Sequence, residues 1–138
     1  MKGVIARRQT IVFTFIALSV FFLLTSCKGS KTEVKNAAGL RGGETRMTLS
    51  PIEFTGATAH AYEIAREIPE VLDSLHCYCE CKKNFGHKSL LTCYVDEHAR
   101  HCDVCQDEAF MAYELHGQGM DILSIRKAVD ARFASLSH

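Results

Sequence analysis

Hydrophobic positions fall into two different patterns along this chain. From Ile11 to Leu24 they run almost without interruption for fourteen residues, preceded by Lys2, Arg7 and Arg8. Beyond residue 50 they recur at helical spacing instead. Over residues 58–67, Ala61, Ile64 and Ala65 align with Ile68 in one stripe, with Tyr62 flanking it. Pro69 fits the first position of a short helix over 69–75, where its missing N–H costs nothing, and Val71, Leu72 and Leu75 supply that helix's apolar face. Periodicity is then lost over residues 77–89, where Lys82-Lys83-Asn84-Phe85-Gly86-His87 is rich in turn formers. Leu90-Leu91-Thr92-Cys93-Tyr94-Val95 reads as a short buried strand or extended segment. Asp96 is placed to cap a helix over 97–116 that ends at Gly117 and Gly119. Asp121 caps a last helix over 122–133, with Ile122, Ile125, Val129 and Phe133 facing inward. The pattern predicts a mostly α, small single domain of about four helices around an irregular cysteine-rich loop, over residues 51–138.

The uninterrupted apolar run belongs to no such domain. It is short for a bilayer-spanning helix, and its basic flank marks it as the core of an export signal. It ends at Leu24-Thr25-Ser26-Cys27, which resembles the lipobox of bacterial lipoproteins. That resemblance implies a signal peptide over 1–26, cleavage before Cys27 and lipidation of its sulfur. A single N-terminal membrane anchor with a free Cys27 is the other reading. Residues 27–50 are then the lipidated cysteine and a flexible tether, rich in Gly, Ser, Thr and Lys. The expected location is the bacterial cell membrane, lipid-anchored and facing away from the cytoplasm.

Charge changes the picture once the signal is set aside. The whole chain is formally neutral, but residues 51–138 hold 8 basic and 14 acidic side chains. An acidic domain argues against nucleic acid as a partner, which wants a basic face.

The candidate chemistry lies in the sulfurs. Apart from Cys27, all six cysteines fall between Cys77 and Cys105: Cys77, Cys79 and Cys81 on alternate residues, then Cys93, Cys102 and Cys105. In an extended chain, residues i and i+2 stand roughly 6.6 Å apart, too wide for sulfurs on one ion, so the loop must curl or its thiolates must bridge several ions. On the expected helix over 97–116, His98, His101, Cys102 and Cys105 share one face, within an arc of about 100°, and His98, Cys102 and Cys105 form a stripe that can converge on one centre. His87 and His98 are the nearest imidazoles. Thiolates select Cu(I), Zn or iron–sulfur clusters. Six thiolates with four Cu(I) or two Zn²⁺ would leave a residual negative charge, and Lys82, Lys83 and Lys88 are near in sequence to offset it. The metal-ligand set is therefore Cys77, Cys79, Cys81, Cys93, Cys102, Cys105, His98 and His87, with Cu(I) or Zn as the ion. Two alternatives stay open. An exported chain can pair its cysteines as disulfides and serve as an interaction module without metal, and Cys102-x-x-Cys105 has the spacing of a redox pair.

Several spaced elements agree with one known group. Ile68-Pro69-Glu70-Val71-Leu72 leads into Cys77-Tyr78-Cys79-Glu80-Cys81; then follow His87-Lys88-Ser89-Leu90, Cys93-Tyr94-Val95, His98-Ala99, Cys102-x-x-Cys105, Ile125-Arg126 and Val129-Asp130. In this order they resemble the PCYCGC-motif bacterial lipoproteins, over most of residues 61–133. Two positions depart from the naming motif: His76 stands where it has proline and Glu80 where it has glycine. The resemblance implies a surface lipoprotein with metal binding and no established reaction. No metallohydrolase spacing such as His-Glu-x-x-His occurs, so binding rather than turnover is expected, with membrane lipid at Cys27 and a metal-transport or membrane-complex protein as partners.

Overall fold

The computed structural model describes residues 37–136; the signal segment and Cys27 lie outside them. The domain is mostly helical, and no strand occurs among the described residues. Beyond residue 55, five α-helices follow one another among the described residues: α1 Gly56–Glu67, α2 Pro69–Asp73, α3 Cys81–Phe85, α4 Asp103–Gly117 and α5 Ile122–Phe133. Short 3₁₀ helices at Leu90–Tyr94 and His98–His101 fill the gap between α3 and α4.

The long helices form as their patterns require. In α1, Ala61, Ile64 and Ala65 are buried as expected, and Tyr62 joins them with its hydroxyl donated to the Asp96 carbonyl at 2.7 Å. Pro69 occupies the first turn of α2, and Val71, Leu72 and Leu75 face the core. Asp121 caps α5 by accepting the Ser124 amide at 3.0 Å, while Ile125, Val129 and Phe133 are buried. α4 packs against both α1 and α5, so the three long helices make the frame. Burial of their apolar faces is the main stabilising term.

Three expectations are corrected between residues 77 and 105. The loop after Cys81 is partly regular, because Cys81–Phe85 turns into α3 and stops at Gly86 with φ 70°. The segment expected as a strand is the 3₁₀ helix Leu90–Tyr94, with all five residues buried. A run buried on every side carries no periodicity that separates strand from helix. Its free backbone groups are taken from outside: Leu90 donates to the Leu75 carbonyl at 3.0 Å, and the Tyr94 carbonyl accepts from Leu49 at 2.9 Å.

The third correction matters most to the site. The helix expected over 97–116 is broken. The chain makes the 3₁₀ turn His98–His101, extends at Cys102 (φ −130°, ψ 99°) and only then enters α4. Two side chains impose the break. Asp96 accepts from the His98 amide at 2.9 Å, closing a local turn, and Gln106 Nε2 takes the Ala99 carbonyl at 2.8 Å, displacing the amide an α-helix would have placed there.

Part of the expected tether belongs to the domain. Asp73, fully buried, accepts from Arg41 Nε (2.9 Å), the amides of Gly43 and Glu44 (3.1 Å each) and Ser89 Oγ (2.8 Å). Glu44 in turn accepts from the amides of Thr45 and Arg46, the Arg46 guanidinium and Thr92 Oγ1. Gly42 passes so close to Lys88 that a Cβ there would stand 2.6 Å from the Lys88 carbonyl oxygen. Residues 41–46 thus form a strap against the segment that carries Cys93. Composition alone hid this, because the strap uses the same small and charged residues as a linker.

Candidate metal centre

Four segments deliver sulfur to one place. Cys77 and Cys79 come from the loop after α2, Cys81 from the first turn of α3, Cys93 from the 3₁₀ helix Leu90–Tyr94, and Cys105 from the first turn of α4. Their five sulfurs all lie within 4.8 Å of one another. The neighbouring separations are 3.1 Å for Cys77–Cys79, 2.8 Å for Cys79–Cys81, 3.3 Å for Cys77–Cys93, 3.4 Å for Cys79–Cys105 and 3.6 Å for Cys77–Cys105. Cys77 and Cys79 each have three sulfur neighbours, so the group does not divide into pairs. No disulfide occurs among the described cysteines.

The curl that brings alternate residues together is made at Glu80, with φ 66° and ψ 12°. It is the one non-glycine residue at positive φ among those described. A side chain there costs roughly 1 kcal/mol over glycine. The departure from glycine therefore leaves the loop's shape intact at a cost in strain. His76, at the other departure, packs its ring edge-on against Tyr78 at 4.8 Å and does not join the sulfurs.

The loop is pinned from three directions. Arg126 reaches the Ser74 carbonyl at 2.8 Å and pairs with Asp130, one turn along α5. Asp130 accepts the Tyr78 hydroxyl at 2.6 Å. Beneath the loop, Glu108 of α4, wholly buried, accepts the Tyr78 amide at 2.9 Å. The Arg126 and Asp130 of the last helix thereby gain a physical role: they hold both ends of the approach to Cys77. On the far side, Tyr94 donates to the Cys105 carbonyl at 2.7 Å, fixing the start of α4 to the Cys93 segment.

Charge is unevenly shared among the thiols. Contacts from Cys105, then Cys79 and Cys93, hold Cys77 far below the usual thiol range. Contacts from Cys102 and Cys105 pull Cys79 down to about 2. Cys105 moves the opposite way, pushed up by Cys102, Cys77 and Cys79. Burial first, and the Cys77 charge second, raise Glu108 to about 9. Its Oε2 has no hydrogen-bond partner among the described residues. None of the lysines expected to balance the cluster is bonded to a sulfur: Lys83 pairs with Glu80 at 3.2 Å and Lys88 donates to the Gly43 carbonyl.

The remaining expected ligands lie beside this group. Cys102, half-buried in the extended residue before α4, stands at its edge. His87 is buried and contacts Cys93 Sγ through Nδ1 at 3.2 Å. Burial pushes its pKa below the usual imidazole range, leaving the ring neutral. His98 does not share a helix face with Cys102 and Cys105. It joins His87 and Asp96 in a second group, whose ligand atoms also lie within 4.8 Å of one another. An open cavity of about 570 Å³ is lined by members of both groups, Cys79 and Cys81 from the first and Asp96 and His98 from the second, together with Cys102, Glu97 and His101.

Sequence reading missed Glu108 and the real use of Asp96. Glu108 follows Cys105 by three residues, so a helical wheel carries it to the buried face. Asp96 lies two residues before His98, a spacing that favours side chain and backbone meeting in a turn rather than a long helix's cap.

The donor set fits a soft metal: five sulfurs, mostly buried, converge from separate elements that the fold holds rigidly. No curated protein and no solved structure matches the chain. A family model described as "Protein of unknown function with PCYCGC motif" matches residues 53–135. With its three alternate cysteines kept and gathered at one centre, the chain belongs to the PCYCGC-motif family, whose function is not established.

Proposed function

We propose that this protein is a lipid-anchored, extracytoplasmic metal-binding lipoprotein that holds Cu(I) for transfer or storage, with Zn²⁺ as the next candidate. The observation that carries the reading is the convergence of five sulfurs within 4.8 Å of one another. Low-coordinate Cu(I) is well served by bridging thiolates at such density, whereas one Zn²⁺ takes four ligands and would leave sulfur in excess. The cavity beside Cys79, Cys81 and Cys102 gives an ion or a donor protein a path in. Glu108, Asp130 and Tyr94 hold the sulfur-bearing segments in place, which supports binding rather than turnover. The anchor rests on Cys27 and the apolar run before it, and implies a membrane partner at short range.

A redox role is the second reading, favoured by one specific feature. The break at Cys102 puts Cys102-x-x-Cys105 at the start of α4 rather than inside a helix, where redox pairs sit, although here the Cys105 thiol is pushed up rather than down.

One experiment separates them. The full chain, purified in detergent under reducing conditions, is weighed by native mass spectrometry and its thiols counted after denaturation. Several bound Cu(I) ions that return six reactive thiols beyond Cys27 are the expected result. Oxidised cysteines in pairs and no retained metal would sink the proposal.

A further inference from the structure

Beside the sulfurs lies a donor group of different chemistry. His87, Asp96 and His98 offer two imidazole nitrogens and a carboxylate oxygen within 4.8 Å of one another. The individual contacts are close: His98 Nδ1 to Asp96 Oδ1 at 2.9 Å, His87 Nε2 to Asp96 Oδ2 at 3.9 Å, and the two imidazole rings 4.7 Å apart, nearly perpendicular. Phe85 closes one flank, its ring 4.2 Å from that of His98. The three residues come from three places: His87 from the turn after α3, Asp96 from the bend after the Leu90–Tyr94 helix, and His98 from the start of the next 3₁₀ turn. The broken helix is what aims His98 here instead of at Cys102.

We propose that His87, Asp96 and His98 form a second metal site, for a divalent ion of zinc-like preference, separate from the sulfur cluster. Nitrogen and carboxylate ligands suit borderline divalent ions and not Cu(I), whose soft preference the thiolates meet. Donors on a single tetrahedral ion at ~2.1 Å stand about 3.4 Å apart, so the group must close by little more than 1 Å. Asp96 and His98 are only half-buried and have room to do so. Three protein ligands leave an open position toward the cavity, as in sites that exchange their ligands.

His87 joins the two sites. With the proton on Nδ1, its ring donates to Cys93 Sγ at 3.2 Å and turns the Nε2 lone pair toward Asp96. A hydrogen bond of this kind fixes the tautomer of a ligating imidazole. The second site uses no cysteine, so it stands or falls independently of copper binding.

The probe is Co²⁺, titrated into the reduced full chain before and after loading with Cu(I). Loading saturates the thiolates, so Co²⁺ retained afterwards should show the weak visible bands of nitrogen and oxygen coordination, without sulfur-to-cobalt charge transfer. Asp96→Asn and His98→Ala should each weaken this binding at least about tenfold, with Cu(I) stoichiometry unchanged. Glu97→Gln, on the same cavity wall, should leave it intact. No Co²⁺ retained by the loaded protein, or equal retention by Asp96→Asn and His98→Ala, would overturn the site. Should Cu(I) fail to load, the copper reading falls alone. The second site is then decided by the difference in Co²⁺ spectra between the parent chain and the same two variants.

Discussion

The domain buries ionisable side chains in two places, and it treats them oppositely. At the strap, Asp73 and Glu44 are sunk among amides, hydroxyls and guanidinium groups that answer all four carboxylate oxygens. Arg46 above all, with the amides and Thr92, holds the Glu44 carboxyl well below its usual range. At the sulfur centre the side-chain partners of the thiols are other thiols and one imidazole, and the nearby Glu108 is driven the other way, to about 9. Buried charge answered in full by the protein's own donors builds structure. Buried sulfurs gathered at one point, bonded chiefly to one another, make a donor set that fits a cation. The difference separates a structural polar network from a binding one without any appeal to motif.

Substitutions that break each region should part company, and the largest effect is expected at the sulfurs. Cys77→Ser removes a sulfur with three sulfur neighbours; metal retention, measured by metal content after gel filtration, should fall by at least about a hundredfold, as for a lost ligand. Next comes the strap. Asp73→Ala strands two amides and a hydroxyl, and should cost about 3 kcal/mol in urea unfolding, with metal per folded molecule unchanged. If that variant stays folded yet loses its metal, the two regions are not separable.

Glu108 sharpens the contrast through pH. From its usual 4.5 up to about 9 the folded protein keeps a proton that the unfolded chain has released. Stability should therefore fall as pH rises through that window, by up to ~1.4 kcal/mol per pH unit, and level off above it. Glu108→Gln should flatten that slope when both proteins are unfolded by urea across the range. A parallel slope in the variant would mean that Glu108 ionises freely in the fold.

The smallest effect is at Glu80. Glu80→Gly should relieve the left-handed strain and raise the unfolding free energy by about 0.5–1 kcal/mol, with metal stoichiometry retained. A loss of stability would show that the Lys83 contact, at 3.2 Å, outweighs the strain.

The frame of the fold was legible because α1, α2 and α5 carry their periodicity and their start signals on the surface of the sequence. Pro69 and Asp121 mark where two of them begin, and both do so in the structure. The region between Cys77 and Cys105 was less so, for a physical reason. Its segments are too short for periodicity and are positioned by distant partners: Gln106 for the Ala99 carbonyl, Glu108 for the Tyr78 amide, Leu75 for the Leu90 amide. The cysteines were readable as one group from their density alone. Their division from the histidines was not, since it turns on a single extended residue, Cys102. The strap was hidden as well, because Arg41, Gly42, Gly43 and Glu44 read as linker until Asp73 is brought beside them.

That strap gives the domain a mechanical property. Tension or fluctuation arriving along the chain from its N-terminal side meets residues 41–46 before it meets α1. Their hold is on Asp73, Ser89 and, through Glu44, on Thr92, the residue next to Cys93. The strap thus bears on Thr92, beside Cys93, without touching a sulfur itself. On the proposed reading, in which the chain is anchored at Cys27, this strap lies between the anchor and the segment that carries Cys93.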